Sequence, residues 1–244
     1  MPEQDSASTP NADGSLYNDF AHSYIRRRGR FTKAQASALE RLTQHYRLSM
    51  PAINADPREL GIEIGFGMGH ELIIWGQEQP QKLLLGIELY QPGIGSMLSR
   101  LENLKIENVA LVDQPAQKVL AELTPDSVSE IRIFFPDPWP KKRHLKRRLI
   151  QPEFLTQMLV VLKPTGIVRL ATDWAEYGEW MAEHFAMNDN FKCELDAIRD
   201  PILGESGLKT ELDSDGTARG RTKFETRGEK LGHRIRDFTY RRIS

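Results

Sequence analysis

An α/β fold, built on a mostly parallel sheet with helices on both faces, follows from two features of the sequence. From Leu60 onward, short apolar runs alternate with amphipathic stretches, the rhythm of strands and helices in turn. The first of those runs ends in a cluster of glycines, EIGFGMG. Parallel sheets bind ligands beyond the carboxyl ends of their strands, so the loops that follow each strand are where chemistry is expected.

The elements can be justified in order. Residues 1–20 are small, polar and proline-containing and read as a disordered tail. Residues 21–58 are expected to form a basic arm and a helix, and residues 59–244 the folded domain. KAQASALERLTQHY, Lys33 to Tyr46, predicts that helix, with Leu39, Leu42 and Tyr46 on one face. LGIEIG is the first strand. HELIIWGQEQ is a helix stopped by Pro80, LLLGIEL the second strand and GIGSMLSRLENL the next helix. NVALV is a third strand, followed by PAQKVLAEL, a helix with proline at its start. IRIFF is a fourth strand. In PEFLTQMLVVL, Phe154, Leu155, Met158, Leu159 and Leu162 recur at helical spacing. PTG predicts a turn, GIVRLAT a fifth strand and WAEYGEWMAEHF a further helix. FKCEL and DFTYRRI are the last strands.

Composition excludes several classes. The chain has 244 residues and a formal net charge of −1, enough for a substantial core without covalent staples. A single cysteine, Cys193, excludes an internal disulfide framework and a cysteine-based zinc cluster. The six histidines show no H-x-x-x-H pair, so no metal site is expected. No apolar run approaches the roughly 20 residues of a membrane helix. The polar start MPEQDSASTPNADG does not resemble a secretory signal, so a cytoplasmic location is expected.

Positive charge is unevenly spread. Arg26, Arg27, Arg28 and Arg30 form one cluster. Lys141 to Arg148 holds six Lys or Arg in eight positions, and Arg219 to Arg242 is a third basic region. One such run reads equally well as a solvated face. Three on a nearly neutral chain point to a polyanionic partner.

The glycine loop contains Gly65, Gly67 and Gly69, with Glu63 just before it. It reads G-x-G-x-G rather than the dinucleotide pattern G-x-G-x-x-G. It is similar to the first motif of class I S-adenosylmethionine-dependent methyltransferases. At the end of the second strand, Glu88 offers two acceptor oxygens, which suits a vicinal ribose diol. After the third strand, Gln114 and Pro115 occupy the place of an adenine contact.

At FFPDPWPKKRHLKRR, Phe134 to Arg148, the sequence closely resembles the bacterial tRNA (guanine-N7-)-methyltransferase family. EIGFGMG, GIELYQPG, RLATDW and TKFETRGEKLGH carry the same resemblance, which runs from about Arg26 to the C-terminus. It implies a Rossmann-like class I methyltransferase fold with a mostly parallel seven-stranded sheet. It implies S-adenosylmethionine as cofactor and tRNA as partner. The reaction implied is methyl transfer to N7 of a guanosine in the variable loop, position 46. By the same resemblance Asp137 is the catalytic-site aspartate, and Glu63, Glu88 and the loop glycines are cofactor-binding. Lys141, Asp173, Thr222, Lys223, Phe224 and Glu225 are substrate-binding. Arg143, His144, Leu145, Lys146, Arg147 and Arg148 form the RNA-contact run. Two positions depart from the family pattern: Pro115, where an acidic or amide residue usually precedes the alanine, and Gly220, where proline is frequent.

The residues suit that chemistry. Guanine N7 carries a lone pair and no proton, so its methylation needs no base and no metal. Positive charge passes to the purine, and a fixed anion nearby stabilises it. Asp137 is confined by Pro136 and Pro138, which stiffen the backbone on both sides. The cations behind it would fix RNA by its phosphates. Some roles stay open between two readings. Trp139 either stacks on a base or packs beneath the loop. Asp173 either holds guanosine or caps a helix. TKFE either meets a nucleoside or is an ordinary surface loop. A methyltransferase acting on another RNA, or a non-catalytic RNA-binding scaffold, are the alternative functions. Monomer and homodimer are equally compatible.

Overall fold

The first three apolar runs of the central region become strands buried along their whole length, because the sheet they join is covered on both faces. The computed structural model describes residues 31–201 and 223–243. The tail at 1–20, the arginine cluster at 26–30, Gly220 and Thr222 lie outside them. In chain order the elements are α1 (Lys33–Tyr46), α2 (Met50–Ala55), β1 (Leu60–Ile64), α3 (His70–Glu78), β2 (Leu83–Ile87), α4 (Gln91–Leu104), β3 (Val109–Val112), α5 (Ala116–Glu122) and β4 (Val128–Phe134). A 3-10 helix (Lys142–Arg147) precedes α6 (Pro152–Val161), β5 (Leu162–Thr172), α7 (Ala175–Ala186), β6 (Phe191–Arg199), α8 (Lys223–Lys230) and β7 (Ile235–Arg242).

The seven strands form one sheet in the order β3-β2-β1-β4-β5-β7-β6. All pairings are parallel except those of β7, which runs antiparallel to both β5 and β6. This is the class I methyltransferase arrangement the sequence led us to expect. Alternation along the strands divides the interior into two cores. Ile62, Leu85, Ile131, Val168 and Phe238 face one core with Met158, Tyr177 and Phe185 of α6 and α7. Leu84, Val109 and Leu111 face the other, with Leu72 and Trp75 of α3 and Met97 and Leu98 of α4.

Residues 33–55 pack onto the domain. Thr32 and Gln35 form a reciprocal capping box at the start of α1. Arg41 pairs with Glu102 of α4 at 3.0 Å, and Ile53 of α2 is buried in the first core. Helix α2 and the 3-10 helix went unnoticed in the sequence, being too short for a periodic signal. The expected PTG turn is instead a bulge inside β5. Val128 pairs with Leu162 but Glu130 pairs with Ile167, and Thr165 takes φ +69° to absorb the extra residues.

Candidate active site at the carboxyl edge of the sheet

The parallel register brings successive loops into one row. Ile64 pairs with Ile87 and Ile87 with Val112, so Gly65, Glu88 and Asp113 stand side by side just past β1, β2 and β3. The row continues through Phe135 after β4, whose N–H donates to Ala171 at 2.8 Å, to Asp173 after β5.

The glycine loop is built from left-handed backbone. Gly65, Gly67 and Gly69 have φ of +76°, +55° and +73°, values a side chain would strain. Helix α4 presses on the loop: a Cβ on Gly93 would lie 2.2 Å from the Gly67 carbonyl oxygen. Glu88 ties the loop to the neighbouring turn. Its Oε2 accepts from the Gly67 N–H at 2.7 Å, and its Oε1 from Leu89 and Tyr90 at 2.7 and 2.9 Å. Arg100 of α4 donates to the Met68 carbonyl at 3.2 Å from outside.

Glu63 lies beneath the loop, 4% exposed, and its Oε2 is buried with no hydrogen-bond partner. Burial pushes its carboxyl well above the usual range. The nearby Glu71 and Glu88 carboxylates add to that effect, and Arg132 opposes it. Arg132 itself is held by Glu71 at 2.6 Å and Glu130 at 2.7 Å, and stacks on Trp75 at 3.8 Å. A buried acid with an unsatisfied oxygen, under a loop whose backbone is open to close approach, fits a cofactor with cationic and hydrogen-bond-donating groups. Gln114 is half-buried beside this row. Pro115 is the N-cap of α5 and its carbonyl accepts from Lys118 and Val119. Asp113 was not singled out in the sequence; it pairs with Arg47, the C-cap of α1, and accepts from Gln91 at 3.4 Å.

After β4 the chain turns through two residues of positive φ. Phe135 and Trp139 have φ of +53° and +43° on either side of Pro136-Asp137-Pro138. Bulky residues adopt such angles at a cost of roughly 1–3 kcal/mol each, typically where a site requires it. Asp137 is exposed at the tip. Trp139 is half-buried, with His144 edge-on at 5.7 Å and the Arg147 guanidinium 5.1 Å from its ring. Its indole Nε1 is buried, and its ring packs against the 3-10 helix.

The basic run divides. Lys141, Arg143 and Lys146 are exposed, and His144, Leu145 and Arg147 half-exposed. Partial burial, then Arg147, Arg143 and Lys141, hold the His144 imidazole below its usual value. Arg148 differs from the rest of the expected RNA-contact run in its burial. It is 1% exposed, donates to the Pro138 carbonyl at 2.9 Å and Glu176 at 3.0 Å, and lies 4.9 Å from the rings of both Tyr177 and Trp180. It is a strut under the Asp137 loop, because α7 closes over it.

Asp173 resolves differently from its capping alternative. The N-cap of α7 is Trp174, whose N–H is taken by Thr172 at 3.2 Å. The Asp173 carboxylate instead meets His233 Nδ1 at 3.3 Å. A Cβ on Gly228 would fall 2.6 Å from Asp173 Oδ2. The described part of the TKFE segment, Lys223 to Glu225, is helical rather than a loop and begins α8. Glu225 is buried there, joined to Arg199 at 2.8 Å, which also holds Asp237 at 2.8 Å. Its carboxylate anchors α8 to the sheet. His233 escaped notice in the sequence. Its signal was the glycine pair of TKFETRGEKLGH: Gly228 admits Asp173, and Gly232, at φ +77°, turns the chain back toward it.

Three comparisons bear on this site. A family model described as a putative methyltransferase matches residues 57–237. The chain is 40% identical over 228 residues to a tRNA (guanine-N(7)-)-methyltransferase of Nitrosococcus oceani, covering 90% of each chain. It is 36% identical over 244 residues to one from Idiomarina loihiensis, covering 94% of this chain and 92% of the relative. Among solved structures, an antibiotic-related methyltransferase superposes with a TM-score of 0.53 at 14% identity, over 80% of this chain and 94% of that one. A 16S rRNA (adenine(1408)-N(1))-methyltransferase from Catenulisporales acidiphilia, solved with its cosubstrate SAM, gives 0.51 at 13% identity, over 80% and 90%. At such identities the structural matches establish the fold alone.

Proposed function

The chain belongs to the tRNA (guanine-N(7)-)-methyltransferase family, and from that premise we propose that its carboxyl-edge site methylates N7 of a guanosine in the tRNA variable loop, at position 46, using S-adenosylmethionine. Glu63, Glu88 and the Gly65–Gly69 loop would hold the cofactor. When bound, it supplies an electrophilic methyl group on a sulfonium sulfur. Guanine N7 has a free lone pair, so no side chain has to act as a base. What the protein must do is align the ring and balance the positive charge the purine acquires.

Asp137 is the residue suited to both tasks. Its carboxylate can accept from the donors on the guanine Watson–Crick edge, which sets the orientation of the ring. It also keeps a negative charge beside the purine. Asp173, steadied by His233, supports the same nucleoside from the next strand. Lys141 and the exposed cations of the 3-10 helix would meet phosphates.

The observation that carries this reading is the pre-set geometry at Asp137. Two prolines, two positive-φ aromatic residues and the Arg148 bond to Pro138 hold it at the edge shared with the glycine loop. The test is incubation with unmodified tRNA and labelled cofactor, then cleavage mapping of N7-methylguanosine. Asp137→Ala should slow single-turnover transfer by about 10²–10³-fold, the usual cost of losing one preorganised electrostatic group. Transfer near the wild-type rate would overturn Asp137's role.

A further inference from the structure

Among the described residues, four cations near the C-terminus are already occupied. Arg234 pairs with Asp200 at 2.7 Å, and Arg236 with Glu179 and Asp196, both at 2.7 Å. Arg241 pairs with Glu194 at 2.6 Å, and Arg242 with Asp126. Arg227 and Lys230 differ. Both are exposed on α8, and neither has a carboxylate partner among the described residues. They are three residues apart and so share a helix face. Glu225, Gly228 and Glu229 are buried on the other side.

That inner side fixes where the outer one stands. Glu225 is tied to Arg199, and Gly228 lies against the Asp173 carboxylate. Arg227 is thus one residue from the contact with Asp173. The sheet face can also be assigned. Phe238 and Tyr240 point into the core shared with α7, so Asp237, between Arg236 and Phe238, points the opposite way. Asp237, Arg199 and Glu225 form one linked group, which puts α8 on the face away from α7. The 3-10 helix is fastened to α7 through Arg148, which bonds Glu176 and lies over Tyr177 and Trp180. The two cationic elements therefore reach the edge from opposite faces of the sheet.

We infer that α8 is a second RNA-contact element, whose Arg227 and Lys230 engage phosphates on the side of Asp173 away from the Arg143–Arg147 turn. The RNA backbone is then gripped from both faces around the reacting base. The partner follows from charge complementarity: two solvated cations beside a nucleoside site suit a phosphodiester chain, and such contacts fix register rather than sequence. This inference rests on the RNA reading proposed above.

The test measures binding of unmodified tRNA to the full chain as salt rises from roughly 50 to 200 mM. For the wild type, log K should fall steeply against log salt. The Arg227→Ala/Lys230→Ala variant should lose about 1–2 units of that slope, roughly 0.7–0.9 per phosphate contact. Arg227→Lys/Lys230→Arg should keep it. Cofactor affinity and Tm should match the wild type in both variants, since neither side chain is buried. A wild-type slope in the double alanine variant, with a reduced slope in Arg143→Ala/Lys146→Ala, would overturn the role of α8 and leave the RNA reading intact. A flat salt response in the wild type itself would overturn both.

Discussion

Arg148 and Arg143 lie five residues apart in the same basic run, yet the fold gives them unrelated work. Arg143 is exposed, whereas Arg148 is sealed between the Asp137 loop and α7. The difference is measurable. Arg143→Ala should reduce the salt slope of tRNA binding by about 0.7–0.9 and leave Tm unchanged. Arg148→Ala should leave the slope unchanged but lower both Tm and single-turnover rate, because the Pro138 carbonyl loses its donor and the loop slackens. A slope that falls equally in the two variants would restore Arg148 to the RNA surface. Nothing in KKRHLKRR distinguishes these arginines, since the partners that bury Arg148 come from a helix some thirty residues on. The positions of Glu63, Glu88 and Asp137 were legible because each lies within three residues of a strand's carboxyl end, and strand ends converge in any parallel sheet.

Among the elements, α4 has the most direct hold on the glycine loop. Gly93 lets it approach so closely that an added methyl would strike the Gly67 carbonyl, and Gly67 is in turn bonded to Glu88. Gly93→Ala must displace either the helix or the loop. Overpacking of this kind costs about 1–3 kcal/mol, so cofactor affinity should fall roughly 5- to 150-fold. Isothermal titration at wild-type affinity would show that the loop is not coupled to α4. Long periodic helices such as α1, α6 and α7 and the buried strands could be located from pattern alone. Helix α8 could not, because among its described side chains the buried ones are Glu225, Gly228 and Glu229. A polar buried face carries no hydrophobic period, and only the partners Arg199 and Asp173 explain it.

Across the whole molecule, a polar band crosses an otherwise apolar sheet. Glu63 pairs with Arg132, Arg132 with Arg169 and Arg169 with Thr239 in register. Glu71 and Glu130 close the band, Glu130 holding Arg132 at 2.7 Å and Arg169 at 3.0 Å. Such buried charge is a weak source of stability, and Glu63 makes it sensitive to pH. Its folded pKa lies well above the unfolded carboxylate value of roughly 4.3. Between those two values the folded state keeps a proton that the unfolded chain has released. Stability from this group is therefore full below about pH 4.3 and is lost as pH rises toward the folded value. In the absence of cofactor, Glu63→Gln should gain Tm relative to wild type as pH rises above about 4.3, by about 2–4 °C for each kcal/mol recovered. A Tm difference independent of pH would mean that Glu63 is ionised in the folded protein. By itself the sequence determined the α/β class, the helical and extended segments of the central region and the acids at the strand ends, because periodicity and strand-end position are local properties of the chain. Only the tertiary structure decided that Arg148 is a strut, that His233 steadies Asp173, that Glu225 anchors α8 and that Arg227 and Lys230 remain exposed. Burial and pairing depend on contacts between residues distant in sequence, and two arginines in one run stay alike until the fold closes over one of them.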